Sequence, residues 1–249
     1  MLSIIIPVQK LKKTVNPRFF YKKMFGLKDT IDSIKEHIDV EFELIIVVNG
    51  QAEEDLINYL KAEKAISRTA YLTENIGVSR AWNVGAQMAM GEYLCFCNDD
   101  VEFKPESFSK LLKTFSDFDH IGEVGPEGGE WHLDKSGARK GLTEIEQADE
   151  ISGYFFIIPT HVFYQTTGFD IFYSPAGCEE IDMSFQLRSM GYQCMVVPGT
   201  GILHHGSHGI SSRNTDIFFL GQTINTRDLD IRNKEHFVKK WYSNGKVRF

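Results

Sequence analysis

Two short runs, LSIIIPV at residues 2–8 and FELIIVV at residues 42–48, are almost unbroken in apolar, mostly β-branched side chains. A strand with one wet face alternates apolar and polar residues, so an unbroken run requires cover on both faces, as parallel strands have in an α/β sheet. Between the runs, LKDTIDSIKEHI sets Leu27, Ile31, Ile34 and Ile38 on one helical stripe, the crossover that parallel neighbours need. The pattern then recurs. NGQAEEDLINYLKAEKAI reads as a turn and a second amphipathic helix, TAYL as a third strand, residues 78–90 as a helix stopped by Gly91, and EYLCFC as a fourth strand. Further on, GYFFIIP predicts another buried strand, EEIDMSFQLRSMGY a helix closed by Gly191, and QCMVVPG a last strand. Residues 117–150, rich in glycine, acids and turn formers, read as an irregular functional crossover carrying Trp131, His132 and Arg139, and residues 231–249 as a C-terminal helix and tail. No internal repeat or low-complexity segment is present.

At 249 residues, with 42% hydrophobic and 24% charged residues, the chain is long enough to bury a substantial core and too apolar for disorder. Its formal net charge of −7 argues against a general nucleic-acid binder, which needs a basic surface to displace counterions from phosphates. Cys95, Cys97, Cys178 and Cys194 follow no zinc-ligand spacing, and Cys95 and Cys97 fall on one face of a strand, so they read as reduced core thiols. The start lacks a signal-peptide pattern, and no apolar run reaches the roughly 18 residues of a membrane span, so a cytoplasmic location is the default.

The chemistry concentrates in a few stretches. NDD, residues 98–100, ends the fourth strand at the carboxyl edge of the sheet, where open α/β folds bind ligands. Adjacent carboxylates there form a hard-oxygen site for Mg²⁺ or Mn²⁺, with substrate phosphates filling the shell; capping a turn is the plainer use of such residues. ENIGVSRAWNVG offers Gly77 and Gly85 for close backbone approach, Asn75 and Asn83 as amides, Arg80 as a fixed cation, and a helix N-terminus that favours phosphate. CEEIDMSFQLRSMGY begins a helix with Glu179, Glu180 and Asp182, where the dipole favours ionised carboxylates; Arg188 is expected to pair with one of them. LHHGSHG supplies His204, His205 and His208.

Taken in order, IIIPV, IIVVNG, ENIGVSRAWNVG, NDD, EEID and the histidine-containing tail resemble the inverting glycosyltransferases of family 2, over about residues 2–208. The resemblance implies a GT-A-like Rossmannoid α/β fold with a mostly parallel central sheet flanked by helices. It would form a single domain, with residues 1–115 as nucleotide-binding half, 116–210 as acceptor and catalytic half, and 211–249 as flap and helix. It implies transfer of a sugar from a nucleotide diphosphate donor, UDP favoured over dTDP or GDP, to an acceptor hydroxyl. Asp100 would hold Mn²⁺ or Mg²⁺, with His205 completing the shell ahead of His204. Pro7, Val8, Asn49, Asn75, Gly77, Arg80, Asn83, Asn98 and Asp99 would contact the donor. Glu180 would be the base, with Glu179 able to exchange roles and Asp182 orienting its neighbours. Three positions depart from the family pattern, Asn49, Asn98 and Glu180 each standing where an Asp is usual, and they keep a non-catalytic nucleotide-sugar-binding module in view.

Two other classes are disfavoured. A sugar nucleotidyltransferase carries a Gly-rich basic loop after its first strand, whereas PVQKLKKTVNP has no glycine, and no G-x-G-x-x-G follows Val8 as a dehydrogenase requires. Residues 9–26 instead interleave Lys10, Lys12, Lys13, Arg18, Lys22 and Lys23 with Phe19, Phe20, Tyr21 and Phe25. A solvated loop is the plainer reading, and peripheral contact with an anionic membrane or a lipid diphosphate the functional one. Ser207, Ser211 and Arg213 are candidates for a flap over the diphosphate. A saccharide, a lipid-linked sugar, a protein side chain and a small molecule all fit as acceptor, and no motif selects among them.

Overall fold

The computed structural model describes residues 1–11, 25–132, 135–139, 143–206 and 214–242. Most of the basic aromatic loop (Lys12, Lys13, Arg18, Phe19, Phe20, Tyr21, Lys22 and Lys23) and the flap residues Ser207, His208, Ser211 and Arg213 lie outside the described residues.

The first half alternates as its apolar pattern requires: β1 (Leu2–Val8), α1 (Leu27–His37), β2 (Phe42–Asn49), α2 (Glu54–Ala62), β3 (Arg68–Leu72), α3 (Val78–Met88) and β4 (Tyr93–Cys97). Strands β1 and β2 run parallel, Leu2 opposite Phe42 through Val8 opposite Val48, and β3 and β4 add to either side in the same direction. Both sheet faces are covered. Ile4 and Ile6 pack with Leu27, Ile31 and Ile34 of α1, while Ile5, Ile45 and Val47 pack with Ala81, Trp82 and Ala86 of α3. Each of these leucine, isoleucine and valine side chains, taken wholly out of water, contributes roughly 1.5–3 kcal/mol. Helix α3 lies so close that a Cβ on Gly85 would sit 2.2 Å from Ile5 Cγ2. It ends at Met88, two residues before the expected stop.

The remaining elements are β5 (Val101–Glu102), α4 (Ser107–Asp117), β6 (Ile121–Gly125), β7 (Gly128–His132), β8 (Lys135–Arg139), β9 (Glu146–Ala148), β10 (Glu150–Ile151), β11 (Phe155–Pro159), α5 (Thr160–Phe163), α6 (Glu179–Ser189), β12 (Gln193–Val196), β13 (Leu203–His204), β14 (Asp216–Phe219), β15 (Gln222–Asn225) and α7 (Thr226–Trp241). The main sheet has the order β3-β2-β1-β4-β11-β6-β12-β9, with β11 and β9 running against the rest. The expected mostly parallel α/β sheet flanked by helices is present.

The 117–150 segment is not the irregular crossover its composition implies. It contributes β6, wholly buried in the main sheet, and strands β7 to β9. Its glycines serve packing: a Cβ on Gly125 would lie 2.3 Å from Ile151 Cγ2 and one on Gly122 2.7 Å from Tyr192 Cβ. Trp131 is buried against Phe237 of α7, ring centroids 4.9 Å apart. Helix α7 begins at Thr226, five residues before the expected start at 231, with Asn225 capping the Arg227 N–H. It follows a hairpin, β14–β15, that no sequence pattern announced. All four cysteines are free and buried, and burial raises the Cys95 and Cys97 thiols well above their ordinary value. No helix among the described residues is long and apolar enough to cross a membrane.

Candidate active site

Strand β4 delivers Asn98, Asp99 and Asp100 to its carboxyl end, and the turn is pinned where Asn98 N–H meets Tyr154 O at 2.8 Å and Val101 N–H meets Thr30 Oγ1 at 3.1 Å. The chain then pairs β5 with β13, setting His204 opposite Val101. That pairing brings His204 Nε2 to 3.2 Å from Asp100 Oδ1, while the His204 ring lies flat on Tyr154 with centroids 4.6 Å apart. Asp100 is only 5% exposed. Over the pair runs the backbone of Gly206, where a Cβ would lie 2.7 Å from Asp100 Oδ2 and 2.6 Å from His204 Nε2. Only glycine leaves that space open.

His205, expected at the metal ahead of His204, is engaged elsewhere. Neighbouring residues of an extended segment face opposite ways, and the His205 ring bonds Glu102 Oε2 at 2.7 Å and stacks on Phe25 at 4.2 Å. An oxygen and an imidazole nitrogen 3.2 Å apart match adjacent ligands of an octahedral ion, which lie about 3 Å from each other when each bond is about 2.1 Å. Among the described residues no group of three or more His, Cys, Asp or Glu side chains could hold a metal. Asp100 and His204 therefore fit a divalent ion that takes the rest of its shell from phosphate and water, as Mg²⁺ and Mn²⁺ do.

The donor-side residues divide. Pro7 and Val8 pair with Val47 and Val48 at the same sheet edge, and Asn49 follows them. Asn49 is 4% exposed, and its Oδ1 accepts the Ile76 N–H at 2.9 Å, so this oxygen already holds the next loop. Asn75 Oδ1 accepts the Gly77 N–H at 2.9 Å, and Arg80 Nη1 donates to Ile76 O at 3.2 Å. Gly77 has φ 85°, and a Cβ there would meet Ser174 Cβ at 2.7 Å. The first amide of α3 is taken too, Val78 N–H donating to Pro175 O at 2.9 Å. Asn83, expected at the donor, bonds the backbone of Phe169. Its Oδ1 accepts Phe169 N–H at 2.9 Å and its Nδ2 donates to Phe169 O at 2.8 Å, which consumes both amide atoms on the backbone.

Helix α6 opens on Cys178, at φ 72°, followed by Glu179 and Glu180. Buried Oε2 atoms of both glutamates have no hydrogen-bond partner among the described residues. Burial, and then the charge of Glu180, push Glu179 well above the ordinary carboxylate range. Burial also raises Glu180, against the pull of the Glu180 and Ile181 N–H groups. Asp182 differs, because Tyr173 Oη, Gln186 Nε2, Lys240 Nζ and Trp241 Nε1 all bond its carboxylate at 2.8–3.2 Å. With four donors and no exposure it is a structural anchor rather than a catalytic group. Arg188, expected to pair with a helix acid, pairs with Asp149 at 2.9 Å.

Two contributors went unseen in sequence. Glu123 of β6 is fully buried behind α6, accepts from Ser184 Oγ at 2.6 Å, and is pushed up to about 8 by burial. The hold of Lys240 and Trp241, on the expected C-terminal helix α7, upon Asp182 is the other. Neither has a local signal, since both partnerships join distant parts of the chain.

One dipeptide unites the two acidic groups. The ring of Tyr154 carries His204, and Gly153 lies against Glu180, where a Cβ would be 2.9 Å from Glu180 Cγ. A mostly parallel sheet with an acid–histidine pair on its carboxyl edge, beside a helix opening on buried glutamates, is the architecture of the GT-A fold. Residues 21–174 match the sequence profile of Glycosyl transferase family 2, and the chain belongs to that family. No curated protein matches it. Among solved structures it is similar to GalNAc-T7 with UDP, GalNAc and Mn²⁺ (TM-score 0.72, 17% identity, 98% of this chain and 48% of that one). It is also similar to residues 1–349 of S. aureus TarS (0.60, 15%, 80% and 58%) and to the mannosyltransferase PcManGT from Pyrobaculum calidifontis with GDP-Man and Mn²⁺ (0.57, 14%, 80% and 55%). The chain spans about half the length of these structures.

Proposed function

We propose that the protein transfers a sugar from a nucleotide diphosphate donor to an acceptor hydroxyl, with inversion and with a divalent metal. The observation that supports this reading is the Gly153–Tyr154 dipeptide, whose two residues lie against Glu180 and against His204 of the Asp100–His204 pair. Asp100 and His204 would hold Mn²⁺ or Mg²⁺, which when bound supplies positive charge to the departing diphosphate. Residues 1–115 would carry the donor, through Pro7, Val8, Asn75, Gly77, Arg80, Asn98 and Asp99. The neighbours' UDP and GDP complexes leave the base open, and UDP is favoured. Since Asn49 Oδ1 already holds Ile76, Asn49 would meet a base through its amide N–H groups.

Residues 116–210 would supply the base. Burial raises both glutamates, Glu179 further through the charge of Glu180, and Glu180 is the base in this proposal. Glu180 takes the acceptor's hydroxyl proton as that oxygen forms a bond to the anomeric carbon. The bond from that carbon to the phosphate oxygen breaks, and the nucleoside diphosphate leaves with the electron pair. The test compares Glu180→Gln with Glu179→Gln in transfer assays over a donor panel. Loss of kcat by roughly 10²–10⁴-fold at 180 and a clearly smaller loss at 179 is expected; the reverse order would move the base to Glu179, and no loss at either would remove the mechanism.

A further inference from the structure

The segment from Phe172 to Gly177 has no strand and only one short 3-10 turn (Ile171–Tyr173), yet it leads directly into Glu179 and Glu180. Its carbonyls are all taken, and almost all by two adjacent residues of the C-terminal helix. Arg232 Nη2 donates to Phe172 O at 3.0 Å and Ser174 O at 2.8 Å. Asn233 Nδ2 donates to Tyr173 O at 3.2 Å, Ala176 O at 3.1 Å and Gly177 O at 2.8 Å. The sixth carbonyl, Pro175 O, accepts the Val78 N–H of α3, beside Gly77. Asn233 is fully buried, and its Oδ1 accepts from Arg232, which orients its amide toward the loop.

The same helix holds both flanks of the segment. Lys240 bonds Asp170 at 2.9 Å before it and Asp182 at 2.8 Å after it, and Trp241 Nε1 bonds Asp182 at 2.8 Å. His236 stacks on Phe172 with ring centroids 3.8 Å apart. A base that must sit within a fraction of an ångström of its working position needs its backbone fixed from outside, because the loop has no ladder of its own.

We propose that Asn233, with Arg232, is the positioning residue of the site: it fixes the 172–177 backbone, and through it the place of Glu180 relative to the donor-side end of α3. The proposal rests on the reading of Glu180 as the base. Transfer and nucleotide binding should therefore separate when the clamp is cut, because Asp100 sits in the turn between β4 and β5 and His204 on β13, apart from the carbonyls that Arg232 and Asn233 hold.

The experiment uses the full chain, as wild type, Asn233→Ala and Arg232→Ala. It measures transfer kcat and donor KM over the donor panel, and the affinity of a nucleoside diphosphate with Mn²⁺. Asn233→Ala is expected to lose kcat on the order of 10²-fold, the scale of a misplacement near 1 Å. Arg232→Ala, which cuts two bonds at a less buried position, should lose less and carries the test if Asn233→Ala does not fold. Donor KM and diphosphate affinity should stay within about threefold of wild type in whichever variant folds. A kcat close to wild type in a folded variant, or an equal fall in kcat and diphosphate affinity, would overturn the positioning role. A wild type that transfers from no donor would overturn the glycosyl-transfer reading itself, and the role of Asn233 with it.

Discussion

Glu123 shows how a single residue links the sheet to the pH behaviour of the whole protein. It is buried between β6 and α6, with its carboxyl raised from 4.5 to about 8 by burial, and further by Glu150 and Glu180. The folded state therefore holds a proton that the unfolded chain releases near 4.5. This contribution to stability is full below the unfolded value, declines as pH rises, and is lost at about pH 8. Glu123→Gln keeps an oxygen for Ser184 and has no proton to lose. Chemical unfolding should show the variant gaining on wild type between pH 5 and pH 8, by at most about 5 kcal/mol. An unchanged pH slope would contradict the buried-acid assignment. The other residues teach what spacing can and cannot reveal. Asp100 and Glu180 were legible because two acids after an apolar strand, and three in a first helical turn, need a reason to be there. His205 was preferred over His204 because a sequence does not say which of two adjacent side chains faces inward. Asn83 matched a motif, but its amide is committed to a backbone 86 positions away.

At the scale of elements, α3 decides how the donor edge is built. Its small face, Ala81, Gly85 and Ala86, lets the helix lie directly on Ile5 and Val47. Adding one methyl at Gly85 puts a Cβ 2.2 Å from Ile5 Cγ2 and 3.3 Å from Val47 Cγ2, with sheet and helix both fixed. Gly85→Ala should therefore destabilise by about 1–3 kcal/mol, which overpacking of a tight core costs. Calorimetry should record a fall in Tm of roughly 2–4 °C per kcal/mol, and a rise in Tm would contradict the close approach. The strands covered on both faces, β1, β2 and β4, declared themselves by unbroken apolar runs. β6 did not, because two glycines and a buried glutamate interrupt its IGEVG, and each is there for a neighbour distant in sequence. Helix α7 was visible, though placed late, and its use was hidden because charged and amide residues there bond loop carbonyls instead of solvent.

For the molecule as a whole, a mostly parallel sheet sets its carboxyl edge toward one side, where β4 brings the acids, β13 the histidine, and the start of β11 the dipeptide between them and α6. The order of motifs along the chain already implied this arrangement, since each closes a strand or opens a helix. What it could not supply was the antiparallel β11 at the centre and the fastening of α6 by the C-terminal helix, which exist only once distant segments meet. The proposed function needs a divalent metal, which Asp100 and His204 would hold. The most direct measurement is the rate of nucleoside diphosphate release from a panel of nucleotide-sugars, with and without Mn²⁺, for wild type and Asp100→Asn. The account predicts release that depends on the metal and falls in the variant by on the order of 10²-fold or more. Release unaffected by the metal, or an Asp100→Asn variant as active as wild type, would contradict it.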